Sequence, residues 1–379
     1  MTTTTTHFKV DNGDMTLIVL ESGRCVLIDC KIRCAADDPN DPTPDVGAQL
    51  KDRLPRDTAG RPYVDAFLLT HPDQDHCGGL RTHFHLGDPS KWSAADDKIF
   101  IREMWSSPIV FRRADRKCPL CDDAKAWAEE ARRRVKLFRS QGYLADGDRI
   151  LILGEDVAGK TDDLGAILVA AGSKFSNICG AVDASFEALL LAPLVADDEE
   201  EEEVLSKNNS SVILNFTLAA DSEPAAARYL FGGDAEVAIW EKILARYAPD
   251  DLKYDVLLSP HHCSWHSLSW DSWSEKREDA KVSPAARKAL AQANAGATIL
   301  ASSCAIEDDD DDPPCIRAKR EYQAILKPVA GAFVCLADDP DNEPLELTVS
   351  RYGPKPARRR MAGFAALGTG VGSEALGHG

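Results

Sequence analysis

VDAFLLTHPDQDHCGG (residues 64–79) joins a short apolar run, Val64–Leu69, to a loop that carries two His and two Asp side chains within six residues. The apolar run predicts a buried strand. Imidazole and carboxylate oxygen are ligands that first-row divalent metals prefer, and a loop at a strand end lets such side chains converge. Gly78 and Gly79 follow and permit close backbone approach. The segment His71–His76 therefore predicts a metal site.

A purely structural interpretation of this loop is that its His and Asp side chains cap a following helix. Four ligand-type residues in six, with two glycines behind them, favour the metal site over that alternative. His83 and His85 are interpreted as surface residues rather than ligands. His7 is assigned to a tail. For His266, a proton-donating or phosphate-binding role and a plain polar role are both open.

Residues 70–79, THPDQDHCGG, resemble the signature loop of the metallo-β-lactamase superfamily. The usual form of that loop is H-x-H-x-D-H, and here Asp73 stands at the second His. The resulting H-x-D-x-D-H variant is similar to the hydrolase domain attached to bacterial competence DNA-uptake channels and to its free-standing relatives.

Three further stretches carry the same resemblance, in the same order along the chain. NNSSVIL (208–214) is similar to an N-x-S-x-V-L strand, and LFGGDAE (230–236) resembles a strand ending in G-D-x-E, whose Asp bridges two metals. DVLLSPHHCS (255–264) resembles D-x-L-x-x-P-H-H-G-S. Together the motifs and their flanking strands span about Asp11 to Val349.

The resemblance implies an α+β fold, an αββα four-layer sandwich, and strand-rich segments interleaved with helices in both halves agree with it. It also implies two divalent metal ions, Zn²⁺ or Mn²⁺, with a bridging hydroxide as nucleophile. The implied metal ligands are His71, Asp73, Asp75, His76, Asp234 and His261. The implied catalytic residues are Asp75, which would orient the water, and His262. Which of His261 and His262 binds metal stays open.

The chain departs from the superfamily pattern at three points. Asp73 replaces a His, and no His occurs between His85 and His261, so the usual third-motif ligand is missing. A site richer in oxygen favours a harder ion such as Mn²⁺, or weaker zinc binding. Cys263 stands where the subgroup has Gly, and we interpret it as a buried, unreactive thiol.

The function predicted from these motifs is a metal-dependent hydrolase, a two-metal phosphodiesterase or nuclease. Its expected partner is a phosphodiester substrate, in nucleic acid or a nucleotide. Two alternatives stay open: a hydrolase of small esters, lactones or thioesters, and a non-catalytic regulatory module that retains the fold. Loss of the second His argues against the first alternative, and retention of Asp75, His76 and Asp234 together argues against the second.

The formal net charge of −18 comes mostly from two acidic runs, Asp197–Glu203 and Glu307–Asp312. They hold thirteen acidic residues, so without them the formal charge would be −5. Such runs repel themselves and predict exposed loops. The net charge argues against broad, nonspecific binding to DNA.

The first nine residues have neither a basic n-region nor an apolar h-region, and the best apolar run, Phe186 to Val195, is too short to cross a bilayer. We therefore expect a cytoplasmic protein with no membrane partner. Residues 1–350 are predicted to form the hydrolase domain, and residues 351–379 a disordered tail, basic and then Gly-rich.

Two other segments carry weaker predictions. Asp122 to Gln141 predicts an amphipathic helix with a basic face, and a solvated face is favoured over a phosphate-binding one. Cys118 and Cys121 form a CxxC pair whose role stays open, because no second ligand pair occurs at zinc-finger spacing.

Overall fold

The computed structural model describes residues 1–38, 40–111, 120–155, 159–195 and 207–357. Two large β-sheets, of ten and seven strands, dominate these residues. In chain order, the strands of the first sheet are β1 (Thr4–His7), β2 (Thr16–Val19), β3 (Cys25–Ile28), β5 (Tyr63–Leu69), β6 (Phe84–His85), β7 (Ile99–Ser106), β8 (Arg149–Leu153), β9 (Leu168–Val169), β19 (Leu345–Ser350) and β20 (Gly353–Pro356). The short strand β4 (Cys30–Lys31) lies beside residues 77–78.

The second sheet is built from the later part of the chain. Its strands are β10 (Lys174–Phe175), β13 (Phe186–Ala192), β14 (Ile213–Ala220), β15 (Glu223–Phe231), β16 (Tyr254–Leu258), β17 (Ala293–Ala301) and β18 (Ala332–Cys335). Strands β11 (Asn177–Ile178) and β12 (Ala181–Val182) form a separate two-stranded ribbon.

The strand order explains the sequence pattern of β5. The first sheet runs β20-β19-β1-β2-β3-β5-β7-β8-β9, and β5 pairs in parallel with both β3 and β7. Parallel strands are covered on both faces, so their sequences read as nearly continuous apolar runs. The predicted strand Val64–Leu69 is thereby confirmed.

Nine α-helical segments connect the strands in the described part of the chain. They are α1 (Val46–Lys51), α2 (Gln74–Cys77), α3 (Leu80–His83), α4 (Asp122–Gln141), α5 (Val237–Arg246), α6 (Pro260–Cys263), α7 (Trp273–Lys276), α8 (Pro284–Leu290) and α9 (Ile316–Leu326). The bounds predicted for α4 are confirmed. Its basic face is only partly solvated, because Arg134 is buried and paired with Glu130 at 2.7 Å. In the described residues, no helix combines the length and apolar character needed to cross a bilayer.

Three groups of buried apolar side chains define the layers. One lies between the two sheets and draws on both, with Trp105 of β7 and Phe216 of β14 among its members. The second lies between the first sheet and α4, around Trp127. The third lies between the second sheet and helices α5, α8 and α9, around Trp240. Helices therefore flank two facing sheets, and the expected α+β class is confirmed.

Three details differ from the sequence predictions. His7 is not in a tail: it lies in β1, between β2 and β19, and is buried. The first sheet continues past the predicted boundary at residue 350, because β20 pairs with β19, whereas residues 358–379 lie outside the described residues. In the acidic run Glu307–Asp312 the first five residues are exposed, but the side chain of Asp312 is buried. The run Asp197–Glu203 lies outside the described residues.

Candidate metal centre

Strand ends from both sheets place the predicted site residues at one edge of the molecule. In the first sheet, β3 and β5 are parallel, and Asp29 and the loop starting at Thr70 follow them directly. In the second sheet, β15 and β16 are parallel, and Asp234 and His261 lie just beyond them. Carboxyl ends of parallel strands meet at one edge of a sheet, which is where open sheets commonly bind ligands.

The loop after β5 brings two histidines into the interior. His71 and His76 are 1% and 0% exposed, and their rings lie 4.1 Å apart between centroids. The amide of His76 donates to the carbonyl of Asp73 at 3.1 Å, which closes the first turn of α2. Val212 N–H donates to the Thr70 carbonyl at 2.9 Å and joins this loop to the second sheet.

Asp234 is the centre of the cluster. Its Oδ1 lies 2.9 Å from Nε2 of His76 and 3.6 Å from Nε2 of His262. Its Oδ2 lies 3.5 Å from Nε2 of His71 and 3.8 Å from Nε2 of His261. The buried carboxylate therefore faces four imidazoles, two on each oxygen. Its own amide donates to Oγ of Ser211 at 3.1 Å, which fixes the turn after β15.

The His261–His262 pair lies in a turn with unusual backbone geometry. The φ angles of His261, His262 and Cys263 are +49°, +51° and +69°, all in the left-handed region that L-residues rarely adopt. His261 N–H donates to the Gly233 carbonyl at 3.0 Å. Three consecutive residues of this kind at a functional site are a reservoir of strain held by the surrounding structure. The turn sends the two adjacent rings to opposite oxygens of Asp234.

Asp14 belongs to this cluster, and the sequence interpretation missed it. Its Oδ1 lies 3.5 Å from Nδ1 of His262, and one ligand atom from each of Asp14, His76, Asp234 and His262 lies within 4.8 Å of the others. The Asp14 amide donates to the Asp75 carbonyl at 3.2 Å, so the loop before β2 is joined to the His71–His76 loop. The available signal was a Gly-Asp pair directly before the apolar run MTLIVL (15–20).

Asp29 is the second residue that the sequence interpretation missed. Its Oδ2 lies 2.8 Å from Nδ1 of His76, while its two oxygens accept from the amide and hydroxyl of Thr70, each at 2.7 Å. A carboxylate on one imidazole nitrogen leaves the other nitrogen facing a metal, an arrangement common in metalloproteins. The available signal was an acidic residue inside the apolar run Cys25–Cys30.

The electrostatics of the cluster come from packing carboxylates against imidazoles in the interior. Burial by itself opposes the charge on Asp234, but His76, His262 and His71 hold the pKa of Asp234 well below its usual range. Burial likewise opposes protonation of His262, yet Asp234, Asp14 and Asp75 raise its pKa to about 10. In contrast, burial lowers the pKa of His261. Metal binding to such a cluster displaces protons from imidazole.

Unpaired polar atoms show that the donor set fits a cation. His71 Nε2, His76 Nε2, Asp234 Oδ1 and Asp14 Oδ1 are all buried and form no hydrogen bond of ordinary geometry among the described residues, although His76 Nε2 and Asp234 Oδ1 are only 2.9 Å apart. A buried polar atom without a partner is costly. Imidazole nitrogen and carboxylate oxygen together are a donor set typical of Zn²⁺ and Mn²⁺. The residues therefore fit a divalent metal centre.

The predicted residues differ in how deeply they are buried and in how close they lie to Asp234. The Asp73 side chain is 49% exposed and lies 3.7 Å from His71 Nε2, at the rim. Asp75 is 36% exposed and its Oδ2 lies 3.2 Å from His262 Nε2. His83 and His85 lie outside the cluster, in α3 and β6, and His266 lies beside Asp312 at 3.8 Å. Cys263 is buried, as predicted, whereas Cys118 lies outside the described residues.

Comparisons with known proteins add little to this geometry. No family model matches the sequence. No curated protein matches it either. Among solved structures, this chain is similar to the crystal structure of unliganded yeast PDE1, with a TM-score of 0.38 and 11% sequence identity. The match covers 92% of this chain and 100% of that chain. A likeness at that TM-score does not define the fold or the chemistry of this chain.

Proposed function

We propose that this chain is a metal-dependent phosphodiesterase of the metallo-β-lactamase fold that uses two divalent cations. The observation that carries the proposal is the position of Asp234, whose two oxygens each face a different pair of histidines. A carboxylate shared in this way is the arrangement expected of a ligand that bridges two metals. The layered fold and the order of the sequence motifs support the same proposal.

The pairing on Asp234 suggests how the ligands divide. On the Oδ1 side, His76 and His262 would hold one cation together with Asp14 and Asp75. On the Oδ2 side, the ligands would be His71 and His261, with Asp73 at the rim. The second set is smaller and more exposed, so we expect it to bind its cation less tightly. This assignment makes His262 a ligand as well as His261, unlike the sequence prediction, which gave His262 a catalytic role.

When bound, two divalent cations lower the pKa of water and neutralise charge on a phosphoryl group. The chain's own contribution centres on Asp75. Burial opposes ionisation of Asp75, but His262 and His76 hold its pKa below its usual range, so it is ionised at neutral pH. Because the Asp75 side chain is also 36% exposed, its carboxylate can orient the attacking water and accept its proton.

The substrate class rests on the resemblance described above, because the H-x-D-x-D-H loop and the PHHCS segment (260–264) are similar to those of a nucleic-acid hydrolase domain. A phosphodiester is also the substrate for which a pair of cations is most useful, since both the attacking and the leaving oxygens carry charge.

The test combines metal analysis with assays. The protein is purified, its metal content is measured, and hydrolysis of bis(p-nitrophenyl) phosphate and p-nitrophenyl acetate is followed in Mn²⁺ and in Zn²⁺. We expect turnover of the phosphodiester, a fall in kcat of about 10²–10⁴-fold in Asp75→Ala, and loss of both metal and turnover in Asp234→Ala. The control is His85→Ala, a histidine outside the cluster, which should match the wild type. Wild-type hydrolysis of the phosphodiester by Asp75→Ala would contradict the proposal, and turnover of the ester alone would point to the ester hydrolase.

A further inference from the structure

A cavity of about 560 Å³ opens beside the metal centre. Six of its ten lining residues are polar or charged: Asn12, Lys31, Arg33, Gln74, Asp75 and Asp123. Of the cluster residues, only Asp75 lines it, so a group bound there would lie next to the metal centre rather than over it. Among the described residues that line the cavity, none is aromatic, so the cavity offers no ring on which a base could stack.

The backbone of Lys31 is fixed at the wall of this cavity by strand pairing. Strand β4 runs parallel to the ligand loop, with Cys30 opposite Cys77 and Lys31 opposite Gly78, and the Ile32 amide donates to the Gly78 carbonyl at 2.9 Å. The stem of Lys31 crosses Gly13, where a Cβ atom would overlap Lys31 Cδ and lie 2.7 Å from the Asp75 carbonyl oxygen. Glycine at position 13 is therefore what leaves room for the lysine next to Asp75.

The Lys31 ammonium is acted on by the charges of Asp75 and Asp11 but lies beyond ion-pair distance of both. Arg33 is paired with Asp11, and Asp123 accepts hydrogen bonds from the amides of Gly79 and Arg81 at 3.1 and 2.9 Å. The Lys31 ammonium donates to the carbonyl of Asn12, and no carboxylate among the described residues forms an ion pair with it. An ammonium group has three donors, so Lys31 retains donors for an anionic ligand.

We propose that this cavity binds a second phosphate group of the substrate, adjoining the phosphate that is cleaved, and that Lys31 contacts it. The inference rests on the proposed function and narrows it to substrates with at least two phosphates, such as an oligonucleotide bearing a 5′-phosphate. Lysine is a common point-charge ligand of phosphate, and the cavity volume lies within the range of small-molecule sites. Without an aromatic lining, recognition is of the backbone rather than of the base.

The test compares two substrates that differ by one phosphate, the dinucleotides TpT and pTpT, in the wild type and in Lys31→Gln and Lys31→Arg. We expect Lys31→Gln to lower kcat/KM for pTpT about 10-fold more than for TpT, because the loss of one hydrogen bond to a charged group changes binding by roughly that factor. Lys31→Arg should restore part of the difference, because it keeps the charge. Metal content and melting temperature should be unchanged in both variants.

A binding measurement separates this inference from the proposed function. Isothermal titration calorimetry of thymidine 3′,5′-bisphosphate and of thymidine 5′-monophosphate is carried out on the same proteins. The wild type should bind the bisphosphate more tightly, and Lys31→Gln should remove about 10-fold of that preference. If no dinucleotide is cleaved by the wild type, the proposed function fails while this binding result still decides the inference. Equal losses for TpT and pTpT, or an unchanged preference for the bisphosphate, would overturn the role of Lys31.

Discussion

Asp29 Oδ2 lies 2.8 Å from Nδ1 of His76, on the opposite side of the imidazole from Asp234. In the neutral imidazole this contact favours the hydrogen on Nδ1, which leaves the lone pair of Nε2 for a cation in the cluster. Burial raises the pKa of Asp29, although His76 counters that effect. Asp29 therefore contacts one imidazole of the cluster, that of His76, and would orient that ring toward a cation bound by the cluster.

Replacing Asp29 by Asn should weaken metal binding about 10- to 100-fold, because the amide keeps the shape but loses the charge that orients His76. The measurement is the metal dissociation constant by competition with a chelator. The matched control is Asp65→Asn, since Asp65 is also a buried carboxylate of the first sheet, bonded to the Cys25 amide and to Arg102. The control should lower stability but leave metal affinity near the wild-type value. Equal metal affinities in both variants would show that Asp29 has no orienting role.

Asp312 should be the one residue of the Glu307–Asp312 run that matters for stability. Its Oδ1 accepts from Ser264 Oγ at 2.6 Å and from the Trp265 amide at 2.9 Å, directly after the His261–His262 turn. Asp312→Ala removes these charge-assisted bonds and should lower the free energy of unfolding by about 2–3 kcal/mol. Urea denaturation measures the change. The exposed neighbour Asp311, changed to Ala, should stay within about 0.5 kcal/mol of the wild type, and an equal loss in both variants would refute the distinction.

At position 263, glycine should give a more stable protein than alanine, although alanine is usually the more stabilising of the two. Its φ of +69° is costly for any residue with a Cβ atom and free of that cost for glycine. Cys263→Gly should therefore be more stable than Cys263→Ala by about 1 kcal/mol in urea denaturation. At Cys335, where φ is −91°, alanine should be the more stable replacement. The same order at both positions would show that backbone strain at Cys263 is negligible.

His7 should make the protein less stable in acid. Burial lowers its pKa from 6.5 to about 3, and its ring nitrogens contact only the hydroxyls of Thr5 and Thr16, at 3.2 and 3.1 Å, among the described residues. Because the folded-state pKa is below the unfolded value, its contribution is fully present above pH 6.5 and is lost as the pH falls towards 3.

The size of this effect follows from the difference between the two pKa values. Between pH 7.0 and 4.5 the wild type should lose about 2.5 kcal/mol of unfolding free energy through His7 alone. In His7→Gln, which cannot titrate at this position, the unfolding free energy should fall by about that much less. In His85→Gln it should fall as much as in the wild type. Urea denaturation at the two pH values gives the comparison, and parallel losses in wild type and His7→Gln would disprove it.

Local patterns predicted those elements and site residues that short sequence motifs mark. The strand Val64–Leu69, the helix α4 and the cluster of His71, His76 and Asp234 follow from short motifs. Asp14 and Asp29 could not be assigned in this way, because only the pairing of strands brings them next to His262 and His76. A lone carboxylate near an apolar run has many roles, and only its three-dimensional neighbours distinguish them.

The same limit explains the error at His7. The Thr run before it has no alternation of apolar and polar residues, so it resembles a tail, although threonine favours strands. Strand β1 exists because β2 and β19 both pair with it, and β19 lies at the far end of the sequence. The burial of Asp312 could not be predicted from its acidic neighbours either. Its side chain is buried against Ser264, which is distant in sequence.

The pairing of β1 with β19 has a consequence for synthesis on the ribosome. Strand β1 is synthesised long before Leu345–Ser350, and the edge that it offers to those residues stays open until they have been translated. An unpaired strand edge is a template for association with other chains. A nascent chain arrested before Leu345 should therefore aggregate, or require a chaperone, even though every residue of the metal centre has already been made.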